Sequence, residues 1–136
     1  MATRTHKLVA DVALDAGGQI LLVKYEDTSR YDGQQGWFLP DDYLEHLEHP
    51  RDAAARIVRE QVGLDAELSL AEIESFGDGV WHLVFHYRGS LPAPLPISAG
   101  DNVAAAEWFP LDALPDPSEV AHHGWALDVI SKVVAQ

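Results

Sequence analysis

The chain alternates short apolar runs with polar, turn-forming clusters, and the period of each run predicts an element. Lys7 to Leu14 (KLVADVAL) is apolar and β-branched, as a strand requires. Asp15-Ala16-Gly17-Gly18 is a turn signal, and Gln19 to Tyr25 (QILLVKY) follows as a second strand, so the two read as a hairpin. Glu26 to Gly36 is polar with glycines and reads as a loop. Trp37-Phe38-Leu39-Pro40 is a short buried piece ending at proline. Asp41 to His49 is acidic and alternates Leu with His or Glu, which fits either a loop or a ragged strand.

Pro50 to Val62 is the clearest helix. Pro50 stands near the first turn, where its missing N–H costs nothing, and Asp52 favours the positive end of the dipole. Ala53, Ala54, Ala55, Ile57, Val58 and Val62 supply propensity and an apolar stripe, and Gly63 suits the C-terminal cap. Glu67 to Phe76 and Val80 to Arg88 read as strands around Gly77-Asp78-Gly79. Pro92 to Gly100 is a proline-rich loop that cannot pair centrally in a sheet. Ala104 to Phe109 reads as a strand and Leu111 to Pro117 as a turn-rich connection. A second helix begins at Ser118 or His123 and runs to Val134. The order β-β-(β)-α-β-β-β-α predicts an α+β fold, an α/β/α sandwich with a mixed β-sheet between two helices.

Composition narrows the function. With 136 residues the chain reads as a single domain, residues 1–136, large enough for a core without staples. Nine Lys and Arg against 22 Asp and Glu give a net charge of −13, whose field opposes nucleic acid and anionic membrane surfaces. With no cysteine, disulfides, thiol catalysis and thiolate zinc sites are excluded. No apolar run reaches the ~20 residues of a membrane span. Arg4 and Lys7 precede an apolar stretch that Asp11 interrupts, which argues against a signal peptide and for a soluble cytoplasmic protein.

One segment stands out: Trp37 to Leu64, WFLPDDYLEHLEHPRDAAARIVREQVGL. It resembles the Nudix box, G-x5-E-x7-R-E-U-x-E-E-x-G-U with U aliphatic, preceded by a Trp-x-Leu-Pro-Gly lead-in. Across residues 42–64 the spacing fits without a gap: Asp42 at the glycine, then Glu48, Arg56, Val58, Glu60, Gly63 and Leu64. Glu107-Trp108-Phe109-Pro110-Leu111-Asp112-Ala113-Leu114-Pro115 is similar to the family's late strand and its W-x-x-L-x-x-L-P stretch, so the resemblance spans Lys7 to Val134.

The resemblance implies a hydrolase in which metal-activated water cleaves a pyrophosphate bond of a nucleoside diphosphate derivative. In that family three helix glutamates at i, i+3 and i+4 hold Mg²⁺ or Mn²⁺ through oxygen ligands. Here those positions are Ile57, Glu60 and Gln61. Two carboxylates are gone, and Gln61 keeps only a neutral carbonyl. The family's late loop glutamate falls at Asn102, beside Asp101. The lead-in glycines are Asp41 and Asp42, and the glycine before Glu48 is Leu47. Glu48 and Arg56 keep the structural ion pair that ties loop to helix. Asp41, Asp42, Glu45 and Glu48 add loop carboxylates, so Asp41, Asp42 and Asp101, with Gln61 and Glu60, can rebuild a site around Glu60 as ligand or base.

Three readings follow. The first is a divergent Nudix hydrolase with a weakened Mg²⁺ or Mn²⁺ site. The second is a Nudix fold without catalysis that binds a nucleotide-like small molecule or a protein partner. The third is different chemistry run by histidines and carboxylates. His82 and His86, at i and i+4 of one strand, face the same side and with Glu45 are candidates to line a substrate pocket; their bland reading is a solvent face. Trp81, Phe85 and Tyr87 read as packing residues, one of which can stack on a base. His46 with His49 is undiagnostic as a metal pair, and His122-His123 reads as a helix start. Arg30, Arg51 and Arg88 are candidate phosphate contacts or plain surface residues. Family analogy implies a homodimer.

Overall fold

The structure is a computed structural model that describes residues 5–77 and 79–134. Arg4 of the N-terminal stretch and Asp78 of the turn before the fifth strand lie outside the described residues. Strands β1 (Thr5–Ala16) and β2 (Gln19–Tyr25) form the expected hairpin. Gly17 and Gly18 sit at φ +54° and +79°, the two left-handed positions that a two-residue hairpin turn demands. After a short 3-10 turn (Ser29–Tyr31) come β3 (Asp41–Tyr43) and helix α1 (Pro50–Val62). Then follow β4 (Leu68–Phe76), β5 (Val80–Leu91), β6 (Val103–Pro110), a second 3-10 turn (Pro117–Glu119) and α2 (Ala121–Val133).

The sheet runs β4-β5-β1-β2-β6, with β3 on β1. Only β1 and β5 are parallel; the other pairs are antiparallel, so the sheet is mixed as expected. The side-chain alternation of β1 splits the core in two. Val12 and Leu14 meet Ala54, Val58 and Val62 of α1. Ala13, with Ile20 and Leu22 of β2, meets Ala126, Val129, Ile130 and Val133 of α2. A helix therefore covers each face.

Two details position the site. First, β1 pairs with β2 only at Asp15–Ala16 beside the turn, and with β3 through Val9, Ala10 and Asp11. Segment 37–43 fills the opening between the strands: Val12 N–H donates to Pro40 O (3.0 Å), and Val23 and Phe38 exchange bonds. Second, α2 does not start as a plain helix. His122, His123 and Gly124 lie at φ +54°, +56° and +89°, so the His pair forms a left-handed corner where a helix start was expected. Ala121 N–H donates to Trp37 O (3.0 Å) and His122 N–H to Gln34 Oε1 (3.0 Å), which hold that corner in place.

Candidate functional site

The motif-like segment gathers its charges around one cation. Helix α1 starts with Pro50 at its first position and the His49 ring accepting from Arg51 N–H, and it ends at left-handed Gly63. That register brings Arg56 against the preceding loop. Its guanidinium donates to both carboxylate oxygens of Glu48 (3.0 and 3.1 Å) and to Tyr43 O (2.9 Å). Glu60, Asp42 and Glu45 lie 3.5, 3.6 and 3.7 Å from the same guanidinium. The Arg56 bond holds the Glu48 carboxyl below its usual range. Asp42 is also gripped by Arg30 at 2.7 Å. Glu60 is 61% exposed and turned to Arg56. Glu45 is exposed at the rim of this cluster and takes no part in the cavity described below.

The other half of the motif is closed by hydrogen bonds. Ile57 is buried with Ala10 and Ala53 against Leu44. Gln61 Nε2 donates to Asp41 O (2.8 Å), and its Oε1 accepts from the Tyr25 hydroxyl (2.8 Å). Tyr25 Oη in turn accepts from Asp41 N–H (3.0 Å). The ring Asp41–Tyr25–Gln61 is thus complete, with the Tyr31 hydroxyl adding a bond to Asp41 O (3.3 Å) and its ring stacking on Tyr25 at 3.9 Å. Burial pushes the Tyr25 phenol far above its ordinary pKa, so it stays a neutral donor. Asp101 is exposed, and Asn102 is spent on the Asp27 main chain through bonds of 2.9 and 3.0 Å. Among the described residues, no group of three or more His, Asp or Glu side chains is placed to hold a metal ion.

On the other face of the sheet, between β1, β5 and the start of α2, a cavity of about 330 Å³ opens. Aromatic rings dominate its walls: Tyr31, Phe38, Tyr43, Phe76 and Trp125, with the His82 ring stacked on Phe76 (centroids 5.1 Å apart, planes within 3°). Lys7 and Arg30 stand at it, paired with Asp32 (3.2 Å) and Asp42. Asp41 lines it and also lines a second, much smaller cavity that reaches Asp11.

Beneath lies a polar row across the sheet. Asp41, Asp11 and His86 are in register on β3, β1 and β5. His86 is fully buried, with Nδ1 2.6 Å from Asp11 and Nε2 2.7 Å from Glu74. Burial opposes its charge, but the hydrogen bonds and fields of both carboxylates outweigh burial and raise its pKa. His82 therefore stands in the cavity wall, while His86, its i+4 neighbour, is shut beneath with both nitrogens engaged. Trp81 is half-exposed and donates to Ser75 Oγ (2.8 Å), and Arg88 pairs with Asp15 (3.1 Å). Tyr25, Tyr31, Phe76, Trp125, Asp11 and Glu74 escaped the sequence reading. Their spacing in the chain carries no signal, because each meets its partner from a different element.

A family profile described as the NUDIX domain matches residues 5–128. Among curated proteins, none matches the chain. Solved structures of the same fold include a MutT NUDIX hydrolase from Burkholderia pseudomallei, 23% identical, with 96% of this chain and 99% of that one covered at TM-score 0.77. The NUDIX domain of Shewanella oneidensis NrtR complexed with ADP-ribose is 16% identical, with 99% and 89% covered at TM-score 0.77. The Escherichia coli dihydroneopterin triphosphate pyrophosphohydrolase is 17% identical, with 98% and 100% covered at TM-score 0.73.

Proposed function

The chain belongs to the NUDIX domain family, and from that premise we propose that it binds a nucleotide-like small molecule in the cavity beside α2 and does not cleave it by the family's metal-assisted step. One observation carries this reading: the hydrogen-bonded ring of Asp41, Tyr25 and Gln61. A hard divalent ion needs several charged oxygen ligands converging on one point. Here the helix offers Glu60 alone, exposed and paired with Arg56. Ile57 brings a methyl-lined surface, and the Gln61 amide is bonded at both ends. The Asp41 carbonyl oxygen is already capped by Gln61 and Tyr31. Asp42 is shared between two guanidiniums. These residues do not fit the ion that the family implies.

The rest of the site fits binding. Rings on several sides can stack on a planar base, a contact worth roughly 1–3 kcal/mol. The NrtR domain, of the same fold, is complexed with ADP-ribose, which supports a nucleotide derivative as the ligand class. Arg56 and Glu48 keep the loop before α1 docked, and through Asp42 they fix the cavity rim.

The test is a panel of nucleoside diphosphates, triphosphates and ADP-ribose, followed by calorimetry and by product analysis with Mg²⁺, with Mn²⁺ and with a chelator. The expected result is binding that survives the chelator, with no product. Metal-dependent turnover that Glu60→Gln abolishes would establish the hydrolase reading instead, with a site completed by Asp41, Asp42 or Asp101.

A further inference from the structure

The inner end of the cavity holds a carboxylate with nothing to neutralise it. Asp41 is 8% exposed, and its main chain, not its side chain, makes the bonds to Tyr25, Tyr31 and Gln61. No hydrogen bond or ion pair to its carboxyl group is formed among the described residues. Directly across the strand pair stands Asp11, whose Oδ2 is buried without a partner. The one cation of the row, His86, is already shared between Asp11 and Glu74. Lys7 and Arg30, at the cavity, are engaged by Asp32 and Asp42. Asp41 thus faces the aromatic-walled space, with the buried Asp11 carboxyl group behind it.

We propose that this inner end receives the N–H-donating, positively charged edge of a planar ring, and that Asp41 is the residue that selects it. The inference rests on the cavity being the ligand site and adds the chemistry of what enters. A carboxylate oxygen accepts only, so it reads N–H donors and rejects carbonyl edges when ionised. Burial, then the field of Asp11, push the Asp41 pKa well up, so the empty site resists its charge. A cationic edge offsets both causes. Phe38, Phe76 and Trp125 supply faces that attract a flat cation. An anionic edge would meet Asp41, backed by Asp11, and among the described residues the cavity's Lys7 and Arg30 are already engaged by Asp32 and Asp42.

The probe is 2-aminobenzimidazole, a planar bicycle with an amidine-like edge, compared with indole, which has similar shape, one N–H and no charge. Calorimetry on the full chain is expected to show 2-aminobenzimidazole binding at least tenfold tighter than indole. Asp41→Asn, which keeps the main-chain bonds, is expected to abolish that preference. Phe76→Ala, at a half-exposed position, is expected to weaken both probes. Equal binding of the two probes to the unmodified chain overturns the inference whether or not Asp41→Asn folds. So does a preference that Asp41→Asn leaves intact. In either case weakening by Phe76→Ala still marks the cavity as the ligand site. If Phe76→Ala alters neither probe, the cavity reading falls, and this inference with it.

Discussion

Leu47 occupies a position where the related motif has glycine, and its backbone adopts the glycine conformation, with φ +63° and the side chain 90% exposed. The left-handed region costs an L-residue about 1–2 kcal/mol, and an exposed leucine gains no packing in return. Leu47→Gly relieves that strain and gives back part of it as unfolded-chain entropy. The expected result is a gain of about 0.5–1 kcal/mol, seen as a rise of roughly 2–4 °C in melting temperature. A fall would mean that Leu47 has a contact in solution. Gln61 shows the opposite compromise: the loss of its charge is what lets its amide donate to Asp41 O and accept from Tyr25. At this scale two departures from the motif serve the fold: Ile57 packs against Ala10, Ala53 and Leu44, and Gln61 bonds Asp41 and Tyr25.

Helix α1 is fixed at both ends by local chemistry, and its C-terminus is where the long loop 92–102 docks. Gly63 has φ +70°, and its N–H closes the last turn on Arg59 O (3.1 Å). Ser98 N–H donates to Val62 O and Gly100 N–H to Gln61 O (3.0 and 2.9 Å). A Cβ at position 63 would stand 2.8 Å from Ser98 Cβ in a left-handed backbone. Gly63→Ala is therefore expected to cost about 1–3 kcal/mol in chemical denaturation, more than an exposed helix-end substitution. The strands show the complementary lesson: away from the turn β1 parts from β2 because β3 and segment 37–40 take up its edge, and the Asp41 main chain links helix α1, through Gln61, to the cavity wall.

The molecule carries a net charge of −13, and two buried acids, Asp11 and Asp41, sharpen its response to pH. Burial raises the pKa of Asp41 and of Asp11, and the carboxylates around His86 raise it against burial. For all three the native state holds protons more tightly than the unfolded chain. Their contribution is full below the unfolded values, about 4 for the acids and about 6.5 for the imidazole, and is lost as pH rises through the higher native values. Glu48 acts the other way: its lowered pKa gives stability above its ordinary value that is lost as pH falls through the native one. The expected result is greatest stability on the mildly acid side, declining from pH 5 to pH 8 in denaturant midpoints taken at constant ionic strength. Asp41→Asn should flatten that decline; an unchanged slope would remove Asp41 from the account. No helix among the described residues is long and apolar enough to cross a membrane.

Period and spacing alone determined much of this protein. The apolar runs over residues 7–14 and 19–25, the Gly17-Gly18 turn and the alanine-rich stripe of α1 with its Pro50 and Gly63 ends are local patterns, legible because one segment contains the whole cause, and the order of the elements implied the two-helix mixed sheet. The Glu48–Arg56 pair was legible through the resemblance to the Nudix box, which implies it, and the structure forms it. Tertiary structure alone decided the rest. Asp41, Asp11, His86 and Glu74 form one row only because β3, β1, β5 and β4 lie side by side, although they stand at distant positions in the chain. The left-handed corner at His122-His123 depends on Trp37 and Gln34, far away in sequence. Whether Gln61 is a weak ligand or a spent hydrogen-bond partner likewise depended on where Tyr25 sits. Sequence pattern reports which face of an element is buried, while the partner across the gap is set by how the elements pack.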